Sequence, residues 1–287
     1  MLFDVAMPLT LFFVTLVSML LNGKTESRLK TSLEEKTFAA RDAVMLVIAM
    51  VAMISLIVYL PEMALMIVFM FSYSMLLFLF TLVFLKKRWY LAILPPALFV
   101  GLYAFTHTMP IWTVYLINVY AVVFAIMITL YLQTLFTWKT SLIFTGLLTI
   151  ADIILVLGTK TMVSAATQTR SLNLPVLVAV PTLPTIILNE KEIIMQLGLG
   201  DFFFAGLLTI QSMKQYGKRF ALYSLIGMTV SFMITESLLF TFKVGAFPGT
   251  VMIIAGWLPL IAMKTISERL KHRVPAKSEP SSVTSHA

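Results

Sequence analysis

The sequence lacks most of the residues on which metal and thiol chemistry depends. It has no cysteine, which excludes disulfides, thiolate metal sites and a cysteine nucleophile. Its three histidines have no acidic cluster near them in the sequence, so a histidine-built zinc site is not expected; they are His107, His272 and His286. We therefore expect no metal and no cofactor.

Charge is also scarce. Only 12% of the 287 residues are charged, against about a quarter in soluble domains, while 60% are hydrophobic and the mean hydropathy is +0.96. The apolar residues form long runs, which predicts an all-α polytopic membrane protein embedded in the lipid bilayer of the cell membrane. This excludes most classes of soluble enzyme.

The excess of basic residues does not indicate a nucleic-acid partner. The 21 Lys and Arg outnumber the 13 Asp and Glu, but they lie at the ends of the apolar runs rather than along one face. We expect no nucleic-acid binding and attribute the basic residues to membrane topology.

Nine segments have the length and composition of membrane-spanning helices. They are Leu2–Leu21, Ala43–Leu60, Met63–Leu85, Trp89–Phe105, Ile111–Phe136, Thr140–Gly158, Ile194–Gln211, Phe220–Phe242 and Phe247–Met263. A single helix from Ala43 to Leu85 would measure about 65 Å, twice a bilayer core, so we predict a turn at Pro61-Glu62. The same argument predicts a turn from His107 to Pro110.

The distribution of basic residues predicts the orientation. With the N-terminus outside and the C-terminus inside, 17 of the 21 Lys and Arg fall in inner segments. The other four fall in outer segments: Lys160, Arg170, Lys191 and Lys243.

A long segment, Thr159–Glu192, separates the sixth and seventh spans. Its apolar run Leu174–Leu188 is short and contains three prolines, which favours a loop or a re-entrant piece over a tenth span. The β-branched stretch Leu174–Val180 suits a strand that pairs with an extended peptide, or a loop that rests on the membrane surface.

Two of the four aspartates, Asp152 and Asp201, lie inside predicted spans six and seven. An ionised carboxylate in hydrocarbon costs about 2.5–3.5 kcal/mol on the most lenient scale, so such residues mark a function or a partner. Their predicted depths, about 12 Å and about 10 Å below the outer face, agree on two antiparallel helices. We expect the two carboxyl groups to meet.

Paired carboxyl groups can hydrolyse a peptide bond without a metal. They share a proton, so one activates a water molecule while the other polarises the scissile carbonyl. Gly198 and Gly200 leave the backbone beside Asp201 uncovered, which allows an extended substrate to approach. The alternatives are glycines used for helix packing, and aspartates that bond between helices or relay protons in a transporter.

At these residues the chain resembles the presenilin and signal peptide peptidase family of intramembrane aspartyl proteases, in its archaeal branch. Gly198-Leu199-Gly200-Asp201 matches the family motif Gly-x-Gly-Asp, and Ala151-Asp152 retains the aspartate of the Tyr-Asp motif. Phe247-Pro248-Gly249-Thr250 stands where the family has Pro-Ala-Leu; Leu258-Pro259-Leu260 is a competing candidate.

The resemblance implies nine presenilin-like spans and an aspartic endopeptidase that cleaves transmembrane or signal-peptide helices. It assigns catalysis to Asp152 and Asp201. It assigns substrate contacts to Gly198, Leu199, Gly200, Pro248, Gly249 and Thr250. A proton-coupled transporter that uses the same aspartates, or a non-catalytic scaffold of the same family, remains the alternative.

We accordingly divide the chain into three parts. Residues 1–139 form a scaffold of five spans. Residues 140–264 hold the catalytic spans six to nine with the 6–7 loop, 159–193, and residues 265–287 form a disordered cytoplasmic tail. Glu236, near the outer end of span eight, is expected to reach the interface or to pair with Lys243.

Overall fold

The computed structural model describes residues 3–32, 37–85, 88–188 and 191–273. Its helices are α1 (Ala6–Ser32), α2 (Ala40–Ile57), α3 (Glu62–Leu85), α4 (Trp89–Ala92), α5 (Leu94–Thr106), α6 (Ile117–Leu132), α7 (Trp138–Ile153), α8 (Thr161–Ser171), α9 (Leu199–Tyr216), α10 (Lys218–Phe242) and α11 (Gly249–Arg273). A π-helical turn, Ile111–Leu116, precedes α6, and another, Ile154–Gly158, follows α7.

Eight helical segments in this part of the chain are long and apolar enough to cross a membrane. They are α1, α2, α3, α4 with α5, α6 and α7 with their π-helical turns, α10 and α11. The chain is therefore an all-α polytopic membrane protein, as its composition predicts. Both predicted turns are confirmed, since α3 begins at Glu62 and the helix after α5 begins at Ile111.

Two helices extend further than the hydropathy predicts. Helix α1 ends at Ser32 rather than Leu21, because its polar second half packs on α9, where Glu26 pairs with Lys214 at 2.9 Å. Helix α11 continues to Arg273, so the prediction of a disordered tail is wrong for residues 265–273. Residues 274–287 lie outside the described part of the chain.

The segment between α7 and α9 contains no candidate span in its described residues, in agreement with the prediction of a loop or a re-entrant piece rather than a tenth span. It forms α8 and two small antiparallel sheets. Strand β1 (Leu177–Pro181) pairs with β4 (Ile194–Gly198), and β2 (Ile187–Leu188) pairs with β3 (Lys191–Glu192). The strand predicted within Leu174–Val180 is thus present as β1.

Three aromatic side chains hold the chain that leads into β1. Tyr103 Oη donates to the carbonyl of Leu172 at 2.8 Å, and Trp112 Nε1 donates to the carbonyl of Asn173 at 2.9 Å. Tyr73 Oη donates to the carbonyl of Pro175 at 3.3 Å. These rings belong to one aromatic core, in which Tyr103 packs edge to face with Trp112 and Tyr73 with Phe99, so the bundle fixes where the sheet begins.

The predicted start of span seven is wrong. Residues Ile194–Gly198 form strand β4, and the helix begins only at Leu199. Pairing with β1 satisfies the backbone of this apolar stretch, and the Leu199 N–H continues the ladder by donating to the Val176 carbonyl at 3.2 Å. A strand therefore runs directly into the Gly-x-Gly-Asp motif.

Helix α9 lies at the centre of the bundle. It contacts α1, α6, α7, α10 and α11, and every residue from Phe202 to Ser212 is buried. Because other helices rather than lipid surround it, this helix tolerates polar residues such as Gln211, which donates to the Phe136 carbonyl at 3.0 Å.

The N-terminal end of α1 is tied to the loop by Asp4, which is fully buried. Its carboxylate accepts hydrogen bonds from the N–H groups of Ala6 at 3.0 Å and Met7 at 3.2 Å, in the manner of an N-cap residue. It also accepts the N–H of Leu183 at 2.7 Å. One carboxylate thus joins α1 to the segment between β1 and β2.

We expect Asp4→Asn to lower the melting temperature of the detergent-solubilised protein, at a cost of about 1–2 kcal/mol, because an amide nitrogen then faces one of these N–H donors. Asp42→Asn is the matched control, since the Asp42 carboxylate accepts one exposed N–H, that of Ala39. An equal effect of both substitutions would contradict the role given to Asp4.

Candidate active site

Asp152 lies in the last turn of α7, directly before the π-helical turn. Its Oδ2 accepts two hydrogen bonds from Thr250 at the start of α11, one from the hydroxyl at 2.6 Å and one from the backbone N–H at 3.3 Å. The first turn of α11 therefore holds one oxygen of this carboxylate in place.

Asp201 lies in the first turn of α9, and its carboxylate lies close to the Gly198 backbone, since a Cβ added at Gly198 would lie 3.3 Å from Asp201 Oδ2. The Gly249 backbone packs against the other side of the same carboxylate. A Cβ added at Gly249 would lie 2.5 Å from Asp201 Oδ1 and 2.7 Å from its Cγ, so only glycine fits without displacement. Consecutive residues of α11 thus touch both aspartates.

The two aspartates line one cavity of about 60 Å³. Gly198, Gly200 and Thr250 line it as well, and apolar side chains of α2 and α7 complete its wall. The cavity has polar partners and room for water, which a hydrolytic reaction requires. Asp152, at the end of α7, and Asp201, at the beginning of α9, thus line the same cavity.

A second and larger cavity, of about 330 Å³, adjoins the first. Asp201, Gly198 and Met162 line both cavities. The larger one is bounded by β4, α8, the end of α10 and the residues that precede α11. Asp201 therefore stands between a small cavity shared with Asp152 and a space large enough for a peptide segment.

Strand β4 turns one edge away from β1. The Ala179 N–H donates to Asn118 Oδ1 at 2.8 Å instead of to β4, so the Ala179–Gln196 pair is a non-hydrogen-bonded pair of the ladder. By the alternation of an antiparallel ladder, the main-chain groups of Gln196 point to the outer edge of β4. This residue lines the larger cavity.

The outer edge of β1 is less accessible. Asn118 occupies the N–H of Ala179, and Pro181 has no N–H. Of the two strands, β4 therefore has the more accessible main-chain edge. Asn118, in α6, thus accepts a hydrogen bond from strand β1, a contact that the sequence did not predict.

Two residues predicted to contact substrate lie elsewhere. The Leu199 side chain is buried in the hydrophobic core, and Pro248 is buried as the residue that precedes α11; neither lines either cavity. The competing Pro259 is exposed within α11 and lines neither cavity. Of the predicted contacts, Gly198, Gly200, Gly249 and Thr250 lie beside the aspartates.

The prediction for Glu236 is wrong. Its side chain does not reach the interface but is 1% exposed, and among the described residues it forms no ion pair with Lys243. It lines the larger cavity together with Asp201. The sequence did indicate a site here, because a carboxylate inside a span marks a function or a partner. The residues that surround Glu236, however, depend on how α10 packs.

Comparison with models of known protein families and with curated proteins finds no match to this chain.

We expect Gly249→Ala to destabilise the protein by about 1–3 kcal/mol, because the new methyl group displaces the Asp201 carboxylate. The same substitution in an Asp201→Ala background should cost less, since the carboxylate is then absent. Thermal unfolding of the four proteins of this cycle measures the coupling.

Gly245→Ala serves as the control, since a Cβ at that position meets no heavy atom within 4 Å. Additive effects of Gly249→Ala and Asp201→Ala would show that the two residues do not touch.

Proposed function

We propose that this protein is an intramembrane aspartyl endopeptidase that hydrolyses peptide bonds within transmembrane or signal-peptide helices. One observation carries the proposal. Asp152 and Asp201 line a common cavity, and the strand that precedes Asp201 has a main-chain edge turned towards an adjoining space. The resemblance to the presenilin and signal peptide peptidase family supports the same function.

The chemistry follows from the pair of carboxyl groups. Sharing one proton, they bind a water molecule in the small cavity. The ionised group takes a proton from this water as it attacks the scissile carbonyl, and the protonated group donates to the carbonyl oxygen. Collapse of the tetrahedral gem-diol breaks the C–N bond, and the leaving nitrogen takes up a proton. The bonds from Thr250 keep Asp152 oriented during these steps.

A substrate must be extended at the scissile bond, because a helix shields its own peptide groups with intrahelical hydrogen bonds. We propose that the unwound segment adds to the outer edge of β4, where Gln196 presents its N–H and C=O. Since β4 leads directly into Gly198-Leu199-Gly200-Asp201, a peptide paired with it passes beside the aspartates.

The nine-span topology belongs to the same proposal. We take α9 as the ninth span, in addition to the eight apolar segments, because a helix enclosed by five others needs no apolar surface towards lipid. The orientation with the N-terminus outside and the C-terminus inside follows from the distribution of 17 of 21 basic residues. In this orientation the end of the bundle that holds the two aspartates faces the outside of the membrane.

The direct test uses purified protein and a single-span peptide in detergent or nanodiscs. We expect wild type to cleave the peptide, and Asp152→Ala and Asp201→Ala each to lower the rate by roughly a hundredfold or more, because neither the acid nor the base role can then be filled. Asp42→Ala, which removes a half-buried carboxylate at the start of α2 that lines neither cavity, should leave the rate unchanged.

Cleavage that survives either substitution would exclude the dyad mechanism. Proton-coupled uptake of a solute by wild-type vesicles, without any cleavage, would favour the transporter instead.

The substrate edge can be tested separately by Gln196→Pro. Proline removes the N–H from the outer edge of β4 while leaving the β1 ladder intact, so we expect a three- to tenfold loss of cleavage rate, about the value of one hydrogen bond. Gln196→Ala keeps the N–H and removes only the side chain, which faces the Arg170 guanidinium. A rate loss that is equal in both variants would contradict strand addition at β4.

A further inference from the structure

A third carboxylate, that of Glu236, lines the larger cavity together with Asp201 and has no hydrogen-bond partner among the described residues. Glu236, in the second half of α10, is 1% exposed. Neither of its two carboxylate oxygens has a hydrogen-bond partner in the described part of the chain. Burying a polar group without a hydrogen-bond partner destabilises the fold. The presence of Glu236 at this position therefore indicates that its carboxylate binds a group of another molecule.

The cavity that Glu236 lines supplies the space for such a partner. Its volume is about 330 Å³, and it extends along β4 to Asp201. Most of its wall is apolar, formed by side chains such as Phe232, Leu239 and Met252. A long side chain can therefore place an apolar stem against this wall and a polar head at Glu236.

The charged residues that line the cavity favour a cationic head group. Glu236 and Asp201 are the charged residues that line it, and no Lys, Arg or His is among its described lining residues. The nearby Asp4 cannot serve as a donor, since its carboxylate already accepts three N–H groups. Lys243, which follows α10, is exposed and does not line the cavity.

We propose that this cavity is a specificity subsite that binds a Lys or Arg side chain of the substrate, with the cationic head bonded to Glu236. The proposal rests on the proposed function, because the side chain belongs to a peptide paired with β4. A charge-assisted hydrogen bond is stronger than a neutral one, and a low-dielectric cavity strengthens it further. The methylene stem of Lys or Arg fits the apolar wall.

The experiment measures binding and cleavage in parallel with the same peptides. One Lys is moved through eight consecutive positions of a single-span peptide, and each peptide is compared with its Met counterpart, which keeps an apolar stem but carries no charge. Binding to wild type in nanodiscs is followed by fluorescence of a labelled peptide. At one position we expect Lys to bind about tenfold more tightly than Met, and to be cleaved correspondingly faster.

Glu236→Gln should abolish this preference while leaving the binding of the Met peptide unchanged. Glu192→Gln is the matched control, because it removes an exposed carboxylate outside the cavity and should keep the preference. Thermal unfolding of both variants confirms that they fold. Should Glu236→Gln not fold, filling the cavity by Ala246→Leu should weaken Lys binding instead.

A third peptide carries Gln at the preferred position. Three results would overturn the subsite: no preference for Lys at any position, a preference that survives Glu236→Gln, or tighter binding of this Gln peptide than of the Lys peptide. The last result would show that Glu236 is a neutral acid that pairs with an amide. Tighter binding of the Lys peptide without any cleavage would support the subsite and contradict the proposed protease activity. The two proposals can therefore fail separately.

Discussion

The contact of the first turn of α11 with both aspartates is the constraint on which the site depends. Thr250 donates two hydrogen bonds to Asp152, and the bare backbone of Gly249 packs against Asp201. Asp152 ends one helix and Asp201 begins another, so these contacts tie the two carboxylates to one segment, in addition to the direct packing of α7 against α9. Gly249 is suited to its position because a side chain there would collide with the Asp201 carboxylate. Thr250 is suited to the next position because its hydroxyl and its N–H donate hydrogen bonds to Asp152.

The rest of the bundle keeps that contact in register. Five helices enclose α9, and the close approach of α10 to α11 at Gly227 and Gly256, where a Cβ on Gly256 would overlap the Gly227 carbonyl, sets the position of α11. The aromatic core holds the chain before β1, and Asp4 ties the loop to α1. Strand β4 is therefore anchored on one edge while its other edge stays available to a peptide.

The sequence was sufficient for the membrane class and for most span boundaries, because hydropathy and the 1.5 Å rise of a helix determine where a span can begin and end. It also pointed to Asp152 and Asp201, which line one cavity. It was insufficient at Ile194–Gly198, where an apolar run fits a strand as well as a helix and only pairing with β1 decides. The role of Gly249 and Thr250 and the burial of Glu236 depend on contacts between distant segments. Proximity in sequence suggested Lys243 as the partner of Glu236, whereas the packing of α10 turns that carboxylate inward.

We propose that the aspartate pair adds water to a peptide bond inside the bilayer. The most direct measurement is mass spectrometry of a single-span peptide incubated with the purified protein in ¹⁸O-labelled water. We expect cleavage at a bond within the apolar segment, with one ¹⁸O atom in the new C-terminal carboxyl group, and no product from the Asp152→Ala, Asp201→Ala double variant. An intact peptide, or labelled product from the double variant, would show that the aspartate pair does not catalyse this hydrolysis.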